Sequence, residues 1–150
     1  MKGTLHTDGG ARGNPGPAGI GVVLKNERGA VVAEIADGIG IATNNVAEYK
    51  ALIAGLELAL AHGFAQLDIK VDSELVVSQV KGEWKIKKDS LRPLAVKARA
   101  LMNRFDDVSI SHVPRDLNAD ADKLANQGMD SAQLDAELDR ESSAQDPLFE

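Results

Sequence analysis

The sequence predicts an α/β domain with a five-stranded mixed sheet flanked by helices. Short apolar or alternating runs show the two-residue period of strands, and the longer segments between several of them show the helical period of 3.6 residues. The order is βββαβααβα, and a helix precedes each of the last two strands, which favours parallel crossovers. A composition of 43% hydrophobic and 27% charged residues over 150 residues suits one globular domain.

The first three strands are expected to be antiparallel and joined by tight connections. They are predicted over residues 4–7, 20–25 and 31–37. Asp8-Gly9-Gly10 is expected to end the first strand, and residues 26–29 form a hairpin connection. The fourth and fifth strands are predicted over residues 67–71 and 108–113.

Four helices are predicted, over residues 46–62, 73–81, 90–105 and 118–129. Thr43-Asn44-Asn45 offers capping side chains ahead of the first helix, and Gly63 suits its C-terminal end. Pro93 falls in the first turn of the third helix, where its missing N–H does no harm.

The charge is unevenly distributed, and it divides the chain into a domain of residues 1–129 and an acidic tail or helical extension of residues 130–150. The tail holds seven acids and one arginine, which accounts for the net charge of -6. Residues 81–104 carry eight basic and two acidic side chains. This segment is either a phosphate-attracting surface or an ordinary solvated helix face.

Several classes of protein are excluded by composition. The chain has no cysteine, which excludes a disulfide framework and a cysteine-ligated zinc or iron–sulfur site. The longest apolar stretch is interrupted by charges, and the N-terminus lacks the apolar block of a signal peptide, so no membrane contact and a cytoplasmic location are expected. The sequence also lacks the phosphate-loop, dinucleotide, nucleophile-elbow and His-Glu-x-x-His motifs.

Four acids on separate elements are expected to converge. Asp8 and Asp72 each end a predicted strand, Glu48 lies on the helix stripe that faces the sheet, and Asp122 lies in the first turn of the last helix. Clustered carboxylates repel one another unless a cation neutralises them, and all-oxygen ligands favour Mg²⁺ or Mn²⁺. Each acid taken alone also fits an ordinary role in a turn, a cap or a helix first turn.

The motifs that carry these acids resemble the type 1 ribonuclease H family. They are Thr7-Asp8-Gly9-Gly10-Ala11-Arg12-Gly13-Asn14-Pro15-Gly16, Thr43-Asn44-Asn45-Val46-Ala47-Glu48, Val71-Asp72-Ser73 and Asn118-Ala119-Asp120-Ala121-Asp122. The resemblance spans roughly residues 1–129 and implies the ribonuclease H-like fold. It implies an endonuclease that cuts the RNA strand of RNA–DNA hybrids with two Mg²⁺ or Mn²⁺ ions, leaving 5′-phosphate and 3′-hydroxyl ends.

By the same resemblance, Asp8, Glu48, Asp72 and Asp122 are the catalytic, metal-binding acids. Asp120 lies about 200° around the helix from Asp122, so only one of the two can face the site. The family's contacts with the hybrid correspond to Gly9, Asn14, Thr43, Asn45, Asn118, Arg115 and His112. Asn44 is expected to cap its helix.

The sequence departs from the better-known bacterial pattern at several positions. His112 has the spacing of a proton-shuttling histidine but ends a predicted strand, and Arg115 is a candidate for phosphate or product contact instead. Glu74 stands where a glutamine is expected. The segment 81–88 is a compact substitute for a longer basic handle, in which Trp84 either stacks on a sugar or, as the favoured interpretation, plugs the helix junction.

Two other functions remain open at the level of sequence. One is a non-catalytic nucleic-acid-binding module with the same fold, whose acidic tail recruits a protein partner. The other is a nuclease of this fold that cuts duplex RNA or DNA. Four mutually repelling carboxylates favour an enzyme over a metal-free binding module. A monomer is the expected oligomeric state.

Overall fold

The sheet has five strands in the order β3-β2-β1-β4-β5. The computed structural model describes residues 1–145. Its strands are β1 (Lys2–Ala11), β2 (Gly16–Lys25), β3 (Val31–Ala42), β4 (Gln66–Val71) and β5 (Asp107–His112). The first three strands pair antiparallel, and β4 runs parallel to both β1 and β5. The predicted fold class, including its division into antiparallel and parallel strands, is confirmed.

Helices cover both faces of this sheet. They are α1 (Asn44–Ala61), α2 (Glu74–Val80), α3 (Arg92–Met102) and α4 (Ala119–Gln145), and a 3₁₀ turn (Arg115–Asn118) precedes α4. Successive strand residues point to opposite faces, and a Cβ added at Gly9 would meet α1 whereas one at Gly10 would meet α4. The main core lies on the α1 side, where Leu5, Leu52 and Ile69 are fully buried.

The first strand differs from the sequence-based expectation. Asp8-Gly9-Gly10 does not end β1, because the strand continues to Ala11 in register with β2. Gly9 is needed for close helix packing, since a Cβ there would lie 2.2 Å from Ala47 O. Asp8 therefore lies within the strand, opposite Gly21, rather than at its end.

The last helix is longer than the sequence pattern indicates. It runs through Asp130 without a break to Gln145. Small residues hold its first half against the sheet, since Gly19 and Gly38 leave no room for a Cβ beneath Met129 and Ala132. Within residues 1–145, no helix combines the length and the apolar character needed to cross a membrane.

Candidate active site

The register of two parallel strands brings Asp8 and Asp72 together. Thr7 on β1 pairs with Val71 on β4, so the next residue of each chain segment is one of the two acids. A ligand oxygen from each of Asp8, Asp72 and Glu48 lies within 4.8 Å of the others. The predicted convergence of these three acids is what the structure shows, at the point where β4 ends beside β1.

Glu48 reaches the cluster because α1 begins close to the sheet. Thr43 is the N-cap of α1, and its hydroxyl accepts a hydrogen bond from Val46 N at 3.3 Å. Glu48 lies in the second turn, where its Oε1 accepts a hydrogen bond from Gly9 N at 2.9 Å. Farther along α1, Gly55 packs against Leu5 and Thr7.

Burial and mutual repulsion keep protons on this cluster when no cation is present. Burial, followed by the charges of Glu48 and Asp72, raises the pKa of Asp8 to about 9. Burial and the charge of Asp72 raise the pKa of Glu48 to about 8, against the opposing effects of Gly9 N–H and Arg115. The site is therefore short of positive charge.

Arg115 supplies part of the missing positive charge. Its Nε lies 3.8 Å from Asp72 Oδ2, with an Arg115 side chain that is 80% exposed and an Asp72 side chain that is only 5% exposed. Asp72 Oδ2 is buried without a hydrogen-bond partner. A buried carboxylate oxygen in that state costs free energy, which a bound cation would recover. Hard oxygen ligands of this kind fit Mg²⁺ or Mn²⁺.

Asp122 approaches this group from α4, although it is not one of the three acids whose oxygens lie within 4.8 Å of one another. A Cβ at Gly21, the residue opposite Asp8 on β2, would lie 2.1 Å from Ala121 O, so α4 approaches the sheet very closely at this point. Asp122 adds to the effects of burial, Glu48 and Asp72 that raise the pKa of Asp8, which places it beside that carboxyl group. Asp120 lies instead beside a cavity of about 240 Å³ that His6 also lines, on another side of the helix.

Asn118 has an internal role. It is 2% exposed, and its Nδ2 donates to Thr7 O at 2.9 Å. His6 Nδ1 donates to Asn118 Oδ1 at 3.1 Å. Asn118 was predicted to contact substrate, but its side chain ties the turn before α4 to β1 and does not reach the surface. It therefore positions Asp122 indirectly.

The connection between β1 and β2 is tied to the start of α1 by two asparagines. Asn14 Oδ1 accepts a hydrogen bond from Asn44 N at 2.9 Å, and Asn44 Oδ1 accepts one from Ala11 N at 2.8 Å. Asn44 was expected to cap the helix, but the capping residue is Thr43. The reciprocal bonds fix Asn14 close to the helix that carries Glu48.

His112 lies at the end of β5, beside the strand end that carries Asp72. It is exposed and ends β5 in register with Val71, the residue before Asp72. Its position at the end of a strand is the one predicted from the sequence. Both His112 and Arg115 therefore belong to the segment that leads from β5 into α4, beside the acidic cluster.

A groove of about 540 Å³ lies beside the start of α1. Asn45, Trp84 and Lys88 are among its lining residues. Trp84 is 45% exposed, so the favoured interpretation that it plugs the helix junction was wrong. The buried side chain of Gln79 anchors the segment beneath, since it accepts a hydrogen bond from Tyr49 Oη at 2.8 Å and donates one to Lys85 O at 3.3 Å.

Sequence reasoning missed the residues that join elements far apart in the chain. Tyr49 and Gln79 were not selected, although two buried polar side chains in apolar helix stripes are a usable signal. Arg12 was quoted only as part of a motif, and the structure shows it bonded to α4. No local sequence pattern predicts the contact between Arg12 and α4.

Comparison with known proteins agrees with this geometry. A family model described as reverse transcriptase-like matches residues 6–128. The fold and the acidic cluster together define a ribonuclease H-like protein. Ribonuclease HI of Halobacterium salinarum is 51% identical over 132 residues, which are 87% of this chain and 66% of that protein. The chain belongs to the type 1 ribonuclease H family.

Solved structures of the family superimpose over most of the chain. The crystal structure of RNase H1 from H. salinarum has a TM-score of 0.85 at 49% identity and covers 88% of this chain and 100% of that one. LC11-RNase H1, isolated from compost and solved in complex with an RNA/DNA hybrid, has a TM-score of 0.81 at 43% identity, with 87% and 99% covered. The chain spans 66% of the length of the H. salinarum protein and 38% of the length of three mycobacterial relatives.

Proposed function

We propose that this protein is an endonuclease that hydrolyses the RNA strand of RNA–DNA hybrids and leaves 5′-phosphate and 3′-hydroxyl ends. The observation that carries the proposal is the buried group of Asp8, Glu48 and Asp72, whose oxygens lie within 4.8 Å of one another. Membership of the ribonuclease H family supports the reaction class, and the relative solved with an RNA/DNA hybrid supports the substrate.

The four acids fit a pair of hard divalent cations. Asp8, Glu48, Asp72 and Asp122 would hold two Mg²⁺ or Mn²⁺ ions, whose chemistry when bound is to activate a water and stabilise the leaving 3′ oxygen. Two observations support this assignment. A cation would give the unpartnered oxygen of Asp72 a ligand bond, and it would lower the raised pKa values of Asp8 and Glu48.

The remaining residues of the site would orient the acids or bind the substrate. Gly9 N–H fixes one oxygen of Glu48, and Asn118 holds the turn that leads to Asp122. The side chain of Arg115 is long, exposed and positively charged, and it lies beside Asp72. It would contact a phosphate of the substrate or the released product. His112, exposed at the end of β5, would contact the substrate or an attached water beside the site.

Substrate recognition is proposed for the surface that joins the β1–β2 connection to the groove. Asn14, Thr43 and Asn45 lie at this surface, where the wide minor groove of a hybrid offers 2′-hydroxyl groups. The lysines around Trp84 would contact the backbone of the hybrid, which predicts binding that weakens steeply with salt.

The test is cleavage of a labelled RNA–DNA hybrid with Mg²⁺ or Mn²⁺, with duplex RNA and duplex DNA of the same sequence as competitors. Asp122→Asn is compared with Asp120→Asn, which removes the same charge two residues away on the side of α4 that faces His6. We expect hybrid-selective cleavage that Asp122→Asn abolishes and Asp120→Asn retains.

Other outcomes would identify other functions. Preferred cleavage of duplex RNA or duplex DNA would indicate a nuclease of different substrate class. Metal-independent binding of the hybrid by a folded protein that does not cleave it would indicate a binding module. Equal activity in the two aspartate variants would remove Asp122 from the site.

A further inference from the structure

We propose that the acidic continuation of α4 positions the loop that contacts substrate, and that Arg12 is the residue through which it acts. The β1–β2 loop, residues 12–15, carries Asn14, so the inference rests on the proposed function for its role in binding. It assigns a task to the helix beyond Met129, which the proposed chemistry does not use.

One side chain on the loop makes three contacts with one stripe of α4. Arg12 Nη1 lies 2.5 Å from Asp130 Oδ1 and donates to Gln133 Oε1 at 3.0 Å. Arg12 Nη2 donates to Asn126 O at 3.4 Å. Residues 126, 130 and 133 recur at the spacing that places them on one face of a helix, so the guanidinium fork lies against a single surface.

The loop is held on its other side by α1. Asn14 Oδ1 accepts a hydrogen bond from Asn44 N, and Asn44 Oδ1 accepts one from Ala11 N. Arg12 N also donates to Pro17 O at 3.0 Å, which closes the base of the loop. The loop therefore lies between the helix that carries Glu48 and the helix that carries Asp122, with one set of bonds to each.

The part of α4 that holds Arg12 is itself fixed. A Cβ at Gly19 would lie 2.3 Å from Met129 N, and one at Gly38 would lie 2.9 Å from Ala132 N. These backbone approaches lie on either side of Asp130 in the helix. Arg12 is consequently attached to a rigid element rather than to a freely moving tail.

The contact is better suited to positioning than to stability. The Arg12 side chain is 38% exposed and that of Asp130 is 67% exposed, and exposed ion pairs contribute little to folding. An alternative is that Asp130 competes with a substrate phosphate for Arg12. The two ideas predict opposite signs, since loss of Asp130 would weaken binding in the first and tighten it in the second.

The experiment compares Asp130→Asn/Gln133→Ala with Asp135→Asn, a control that removes an exposed acid from another face of the same helix. For the double variant we expect the KM for the hybrid to rise roughly two- to fivefold, with kcat and Tm nearly unchanged and the control like wild type. Arg12→Ala should raise KM similarly, and adding it to the double variant should raise KM no further. Tighter binding by the double variant, or additive effects, would overturn the proposal.

A measurement without substrate separates this inference from the proposed function. Hydrogen exchange at the amides of Ala11 and Arg12, both of which are hydrogen-bonded in the structure, should speed up in the double variant and not in Asp135→Asn. Unchanged exchange would overturn the positioning role even if the enzyme is active. Failure of wild type to cleave or bind the hybrid, with faster exchange in the variant, would instead count against the proposed function.

Discussion

The backbone N–H of Gly9 donates to Glu48 Oε1 at 2.9 Å, and this bond joins the central strand to the helix above it. The bond is possible because glycine lets the two backbones meet, since a Cβ at Gly9 would lie 2.2 Å from Ala47 O. One residue thus determines both how closely α1 packs on β1 and where one carboxylate of the site points.

This geometry predicts that Gly9→Ala and Gly10→Ala differ sharply. Gly9→Ala forces α1 away from the sheet, so we expect a loss of about 1–3 kcal/mol in the free energy of unfolding and loss of hybrid cleavage. A Cβ at Gly10 would meet the flexible end of Met129 at 3.3 Å and Asn44 Oδ1 at an ordinary contact distance of 3.9 Å. Urea unfolding of both variants, at matched m-values, measures the difference. Equal destabilisation by the two would contradict the account of Gly9.

The acidic cluster predicts how stability depends on pH when metal is removed. The pKa of Asp8 rises from 3.8 to about 9 on folding, mainly through burial and then through the charges of Glu48 and Asp72. The folded state therefore binds a proton more tightly than the unfolded state, and stability falls as pH rises from about 4 towards 9. In chelator, Tm should decrease over this range.

Asp8→Asn isolates that contribution. The variant should be more stable than wild type in chelator at pH 8, by an amount that shrinks at pH 5. Each unit by which folding raises the pKa of Asp8 corresponds to about 1.4 kcal/mol in the free energy of unfolding. That is roughly 3–6 °C in Tm for a chain of this size. Mg²⁺ should stabilise wild type more at pH 8 than at pH 6 and should have little effect on the variant. A pH-independent difference between the two proteins would refute this assignment.

Asp72 and Asp68 provide a matched pair on one segment. Asp72→Asn should lower hybrid cleavage by roughly 100-fold or more, because even groups that only support a metal ligand contribute about 10- to 100-fold. Asp68 is engaged elsewhere, with Lys70 at 3.1 Å and Ser109 Oγ at 2.8 Å, so Asp68→Asn should keep its activity. Steady-state kinetics at saturating Mg²⁺ tests both. A retained rate in Asp72→Asn would exclude it from catalysis.

Loss of the buried hydrogen bond from Tyr49 to Gln79 should loosen the segment that lines the groove beside α1. Tyr49→Phe leaves Gln79 Oε1 without its donor, so we expect a loss of about 1–3 kcal/mol in stability. Gln79 also holds Lys85 O, and the chain has a single tryptophan, so the emission of Trp84 should shift as its segment loosens. Lys81→Ala, at an exposed position after α2, is the control. An unchanged spectrum with full stability would show that the bond does not anchor the groove.

The sequence was sufficient for the topology and for the meeting of Asp8, Glu48 and Asp72, and the place of Asp122 in the site stays a prediction. Alternating strand patterns, helix stripes and the order of elements are local signals, and the parallel register then places Asp8 beside Asp72. The motifs that resemble the ribonuclease H family identified the same acids. The division of the chain at residues 129 and 130 stays a prediction, and α4 crosses it without a break.

The errors concern residues whose role depends on distant neighbours. Asp8-Gly9-Gly10 has the local character of a turn, and only the close approach of α1 shows why Gly9 lies inside a strand. Asn118 is hydrogen-bonded to a strand 111 residues earlier, and nothing near it in the chain indicates burial. Trp84 lies in a lysine-rich segment, where the exposed fraction of a side chain depends on how the loop folds back.

The bond from Asn118 to Thr7 O has a consequence for how the protein is made. The two residues are 111 positions apart, and β1 cannot complete the site until the turn before α4 has been synthesised. Under the proposed function, a nascent or prematurely terminated chain that lacks Asp122 would not cleave the hybrid, however much of the sheet it has formed. The chain must therefore be synthesised through Asn118 and the first turn of α4 before β1 and Asp122 can be held together.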